Sequence, residues 1–93
     1  MNPFLLEIAF AEPLSNNQNV LVICGKTIHG EIANGTEGSL IIGEESYPMK
    51  VLNVAFLKNA SPESIMFSAG RPANAPSLES WAGSHFSDSP DIR

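Results

Sequence analysis

The sequence predicts an all-β fold: a small closed or nearly closed antiparallel β-barrel of about six strands with a loop-rich C-terminal segment. Three observations carry this expectation. Apolar and polar residues alternate with period two in several short runs. Turn-forming residues punctuate those runs about every ten residues. No window long enough for a helix places apolar side chains at helical spacing between capping residues, so helix content should be small. Closure suits a chain this short because it removes exposed strand edges.

The first strand reads from Pro3 to Glu12, with Phe4, Leu6, Ile8 and Phe10 on the buried face and Leu5, Glu7, Ala9 and Ala11 on the other. Pro13 to Asn19 is a turn, because Asn and Ser side chains bond the local backbone. Asn16, Asn17, Gln18 and Asn19 read as a hairpin tip whose amides could equally recognise a ligand. Val20 to Gly25 is continuous and β-branched, the pattern of a strand buried on both sides or crossing a barrel. Gly25 permits a bulge or a close backbone approach, and Thr27 to Ile32 extends or restarts the strand. Asn34-Gly35 is a strong turn signal.

Ser39 to Ile42 forms a short third strand closed at Gly43-Glu44-Glu45, whose adjacent acids read as a solvated tip. From Tyr47 to Leu57 the side chains alternate again, Tyr47, Met49, Val51 and Asn53 against Pro48, Lys50, Leu52 and Val54, with the register ambiguous past Asn53. Lys58 to Glu63 stops any strand, and Ile65 to Ser68 starts the next. Beyond Gly70 the chain is rich in Pro and Ser with few large apolar residues, which reads as loop or partial disorder. Ser84 to Ser87 is expected to close the sheet. These elements make a single domain over 1–87, with 88–93 as a frayed tail.

The chain has 93 residues, and its 5 Lys and Arg against 10 Asp and Glu give a formal charge of −5. One domain fits that length. The acidity argues against nonspecific nucleic-acid and anionic-membrane binding, both of which rest on Lys and Arg clusters. No basic residue precedes Glu7 and no apolar run approaches the ~20 residues of a spanning helix, so a cytoplasmic protein is expected. The single cysteine, Cys24, has no internal disulfide partner and is expected to act as a small buried hydrophobe.

Gly25-Lys26-Thr27-Ile28-His29-Gly30-Glu31-Ile32-Ala33-Asn34-Gly35 spaces three glycines five apart, with Ile second after the middle one. This stretch resembles the core of the β-barrel second domain of translational GTPases of the elongation factor Tu type, which runs roughly Gly-Arg/Lys-Val-x-x-Gly-x-Ile-x-x-Gly. The flanking strands fit the same pattern over most of residues 3–87. The resemblance implies a barrel that serves as a docking domain. The nucleotide-binding Gly-x-x-x-x-Gly-Lys-Ser/Thr of those factors is absent, which excludes GTP hydrolysis. The scattered Lys26, Lys50, Lys58, Arg71 and Arg93 set RNA contact against the chain's charge.

A zinc site would draw on Cys24, His29, Glu31 and His85, but the later Pro-Cys-x-x-Cys that a deaminase needs after His-x-Glu is missing. Ser84, His85 and Asp88 are the residue types of a hydrolytic triad, yet sequence neighbours rarely adopt its geometry and no Gly-x-Ser-x-Gly elbow exists. No catalytic residue, metal or cofactor is expected. Trp81, in a Ser/Gly/Pro-rich setting, either anchors a partner together with Arg71 and Phe86 or folds back to cap an open end of the barrel. The sequence thus favours a non-enzymatic module that docks on a protein partner. The competing readings are a small hydrolase or ligand-binding enzyme using His29 or His85, and a translation-related RNA or ribosome binder.

Overall fold

The structure, a computed structural model, describes residues 3–15, 17–55 and 64–89. Six strands, β1 (Leu5–Leu14), β2 (Asn17–His29), β3 (Glu37–Ile42), β4 (Glu45–Ala55), β5 (Ser64–Gly70) and β6 (His85–Ser87), close into a barrel in the order β1-β2-β5-β4-β3-β6. Every neighbouring pair is antiparallel. Among the described residues the only helical element is a single 3₁₀ turn, Leu78–Trp81, and none is a helix long and apolar enough to cross a membrane. The expected all-β barrel is therefore the observed architecture.

The strand order leaves two connections that must skip strands, and they cover opposite mouths. Residues 30–36 carry the chain from β2 to β3 across one end. There the Gly35 N–H donates to the Val51 carbonyl at 2.8 Å, and the Val51 N–H donates to the Thr36 carbonyl at 2.8 Å. Ile32 is buried beneath this crossing, in the same core as Phe4. Residues 71–84 carry the chain from β5 to β6 across the other end. Arg71 N–H extends the β2–β5 ladder to the Asn19 carbonyl, and Ile8 exchanges hydrogen bonds with Gly83 and Ser84 at 2.7 and 2.8 Å. The segment that composition marks as loop or partly disordered is thus tied to β1 and to β2. The chain is held as far as Asp88, whose carboxylate accepts the Phe4 N–H at 3.0 Å. Residues 90–93 of the expected tail, and the expected strand end and break from Phe56 to Glu63, lie outside the described residues.

Phe4, Leu6, Ile8, Leu21, Ile23, Leu40, Met49, Val51, Phe67, Trp81 and Phe86 make one core. The Phe86 ring stands 5.0 Å from Phe4, tilted, and 5.7 Å from Phe67, nearly parallel. Both separations lie within the favourable range for aromatic pairs.

Two sequence-based phases are corrected. Phe10 is not inside: Ile8 pairs with Gly25 and Phe10 with Cys24, which leaves Ala9 as an extra residue. That bulge rotates the rest of β1 by one phase, so Phe10 is 49% exposed while Ala11 turns to the core. On β4, Val51 pairs with Ala69 and Asn53 with Ser68, so Leu52 is extra and Val54 turns inward, which resolves the ambiguity past Asn53. The β2 strand is buried on one side only, with Leu21 and Ile23 fully inside and Val22 and Cys24 half-buried on the outer wall.

Two of the motif glycines are required by close approach. A side chain at Gly25 would meet the Glu7 carbonyl oxygen at 2.5 Å, and one at Gly30 would run into the backbone of Pro3 and Phe4, where φ is +75°. Prolines guard the strand stretches that closure leaves open. No described strand pairs with the outer edge of β1 from Ala9 onward or with that of β4 from Glu45 to Lys50, and these stretches hold Pro13 and Pro48.

Gly30→Ala is expected to lower stability by about 2 kcal/mol, the scale of overpacking plus left-handed strain. Urea unfolding should show a lower midpoint with an unchanged slope; an unchanged midpoint would show that the mouth tolerates a side chain there.

Candidate functional site

Residues directly opposite each other on neighbouring strands share one face of a sheet. The registers place Phe10, Cys24, Met66 and Ala55 in a single row across β1, β2, β5 and β4 on the outside of the barrel. Three strand spacings make that row about 14 Å long. The neighbouring outward row is Glu12, Val22, Ser68 and Asn53. Phe10 stands half out of the surface, Cys24, Met66 and Val22 are half-buried, and Ala55 is exposed. The result is an apolar band on the wall with a carboxylate, Glu12, on its border.

Cys24 lies in the middle of this band rather than in the core. Its half-buried position raises the thiol above its ordinary value of 9.0, and the Glu12 carboxylate pushes it further in the same direction. The thiol is therefore protonated and weakly nucleophilic at neutral pH, an apolar contact atom.

Among the described residues, bulges account for three of the four exposed large apolar side chains, the fourth being Leu14 at the end of β1. Ala9 turns Phe10 outward, Leu52 is itself the extra residue on β4, and Ile28 is the extra residue between the Leu5–His29 and Leu6–Thr27 pairs. Alternation in the sequence cannot reveal these positions. The available signal was Gly25, whose lack of a side chain lets the β1 backbone approach beside the Ala9 bulge.

The residues that sequence reasoning singles out as partner contacts do not meet on the surface. Trp81 and Phe86 are both fully buried. The Trp81 Nε1–H donates to the Pro76 carbonyl at 3.2 Å, and the indole packs in the core below the 71–84 crossing, so it caps the mouth. Phe86 closes the barrel between β1 and β3. Of the three, Arg71 alone is exposed. The anchor reading of Trp81 and Phe86 gives way because a core this small needs their apolar area.

The possible catalytic groups are likewise held apart or engaged. Ser84 is buried, and its hydroxyl donates to the Trp81 carbonyl at 2.5 Å. Asp88 receives the Phe4 amide, and His85 stands across from Glu7 and Ile41 on the wall. His29 sits opposite Leu5 on β2, on the far side of β1 from His85. Among the described residues no group of three or more His, Cys, Asp and Glu converges as metal ligands. A cleft of about 420 Å³ runs along the 30–36 crossing, with Phe4 and Ile32 in its floor and Glu31 and Glu37 at its margin.

No protein-family model, no curated protein and no solved structure matches this chain.

The raised thiol sets an expectation for reactivity. Cys24 should react with a disulfide reagent more slowly than free cysteine at neutral pH, and Glu12→Gln should accelerate it by removing the carboxylate that disfavours the thiolate. Stopped-flow absorbance measures both rates; equal rates for the two proteins would remove Glu12 from the account.

Proposed function

We propose that this chain is a non-enzymatic β-barrel module that docks on a protein partner through the outer wall of β1, β2 and β5. The observation that carries the reading is the continuous apolar row Phe10–Cys24–Met66, which closure of the barrel leaves outside. A band of this kind, rimmed by polar residues, is what interaction sites present. Met adapts to irregular surfaces, and a protonated Cys contributes a small apolar contact.

The chemistry of the wall selects the partner class. Glu12 borders the row and the chain's formal charge is −5, so the complementary surface is an amphipathic segment with an apolar stripe flanked by Lys or Arg. The resemblance to the second domain of translation factors supports the same reading, because a barrel of that kind serves there as a docking domain. The acid balance favours protein over RNA as the ligand. A single unpaired cysteine accords with work in the reducing cytoplasm.

Affinity purification of the tagged protein followed by mass spectrometry tests the proposal. A partner retained by the wild type should be lost with Phe10→Lys and kept with Ile28→Lys, which changes an equally exposed apolar residue four positions along β2 from Cys24. Circular dichroism checks that both variants keep the barrel. Loss from both, or from neither, would place the contact elsewhere.

A further inference from the structure

Asn34-Gly35 is the chain's one Asn-Gly pair, the dipeptide in which the small following residue leaves the backbone nitrogen open to attack the side-chain amide. Both residues are exposed, and a side chain added at Gly35, where φ is +87°, would touch nothing. Sterically the pair is open to deamidation. Its hydrogen bonds work against the reaction. The nucleophile, the Gly35 nitrogen, donates its proton to the Val51 carbonyl at 2.8 Å. The electrophile is held as well: Asn34 Oδ1 accepts the Val54 N–H at 2.9 Å, and Asn34 Nδ2 reaches Asn53 Oδ1 at 3.5 Å. Thr36 Oγ1 accepts the Ala33 N–H at 2.9 Å and closes the turn from inside.

We propose that Asn34 is a modification site gated by the docking of the 30–36 crossing on β4: deamidation is blocked while the crossing is seated and proceeds when it lifts. In the lifted loop the Gly35 nitrogen attacks Asn34 Cγ. A new N–C bond forms, the bond from Cγ to the amide nitrogen breaks, and the nitrogen proton passes through water to the departing ammonia. Water then opens the cyclic imide at either carbonyl, giving aspartate or isoaspartate, with no change of oxidation state.

The products differ from the starting loop in ways that oppose reseating. Aspartate adds a carboxylate to a segment that already holds Glu31 and is followed directly by Glu37. Isoaspartate inserts a methylene into the backbone, so the Gly35 nitrogen and the Oδ1 acceptor lose their matched spacing to Val51 and Val54. The crossing covers Ile32 and Phe4, so an opening event becomes a permanent weakening of this mouth.

Ageing the purified protein at mildly alkaline pH, with peptide mapping by mass spectrometry, reads conversion at Asn34. The folded wild type should convert roughly tenfold or more slowly than the same chain in urea, since local opening must precede the reaction. Thr36→Val, which removes the closing hydroxyl, should convert at an intermediate rate with circular dichroism unchanged. Hydrogen exchange should show the Gly35 and Val54 amides protected in the wild type and less protected in this variant. Conversion in the folded wild type at the rate of the unfolded chain, no conversion in urea, or a Thr36→Val rate equal to that of the wild type would each overturn the proposal.

Discussion

A three-residue strand holds this molecule shut. His85, Phe86 and Ser87 pair with β1 on one side and β3 on the other, and without them those two strands would end as open edges of a five-stranded sheet. So short a ladder supplies few hydrogen bonds, each of which contributes only about 1 kcal/mol net. Its hold comes from the side chain between them. Phe86 is fully buried and meets Phe4 and Phe67, which lie on the N-terminal approach to β1 and on β5. Closure of the wall and filling of the core are therefore one event, carried largely by one ring. Asp88 and Ser87 add to it by bonding the backbone of Phe4, tying the two ends of the barrel segment together.

The strand order sets what happens at the mouths. Because β2 cannot reach β3, nor β5 reach β6, without passing over two strands, the two crossings become lids by topology. Each brings its own plug: Ile32 under the 30–36 crossing and Trp81 under the 71–84 crossing. A six-stranded barrel has limited interior volume, and these plugs lengthen the core at both ends without lengthening any strand.

Bulges set what happens on the wall. An uninterrupted β1 would send Phe10 inward beside Ile8, but the register requires Ala9 to be skipped, and the next side chain faces outward. The same device at Leu52 and Ile28 leaves apolar residues outside in a molecule that can scarcely spare them. Bulges bend and coil a strand, which a small closed barrel needs in order to turn its corners. The apolar band is thus a geometric product of closure, and docking on a partner would give it a use.

Local pattern alone determined the class of fold, the approximate place of each strand and the punctuation between them. Period-two alternation, Asn-Gly at 34–35 and the glycines at 25 and 30 are properties that neighbouring residues impose on the backbone. Alternation also set Phe4, Leu6 and Ile8 inward, but only the tertiary structure decided which side chains face in beyond each bulge. Phase depends on the pairing register, and a one-residue bulge reverses it for everything beyond. That is why Phe10 left the core and Ala11 entered it. Trp81 went the other way: its sequence neighbourhood is polar and loop-like, yet the crossing that bears it spans a mouth that needs filling. The candidate docking row was illegible for the same reason, since Phe10, Cys24 and Met66 become neighbours only when the β1–β2 hairpin and the distant β5 are set side by side in register.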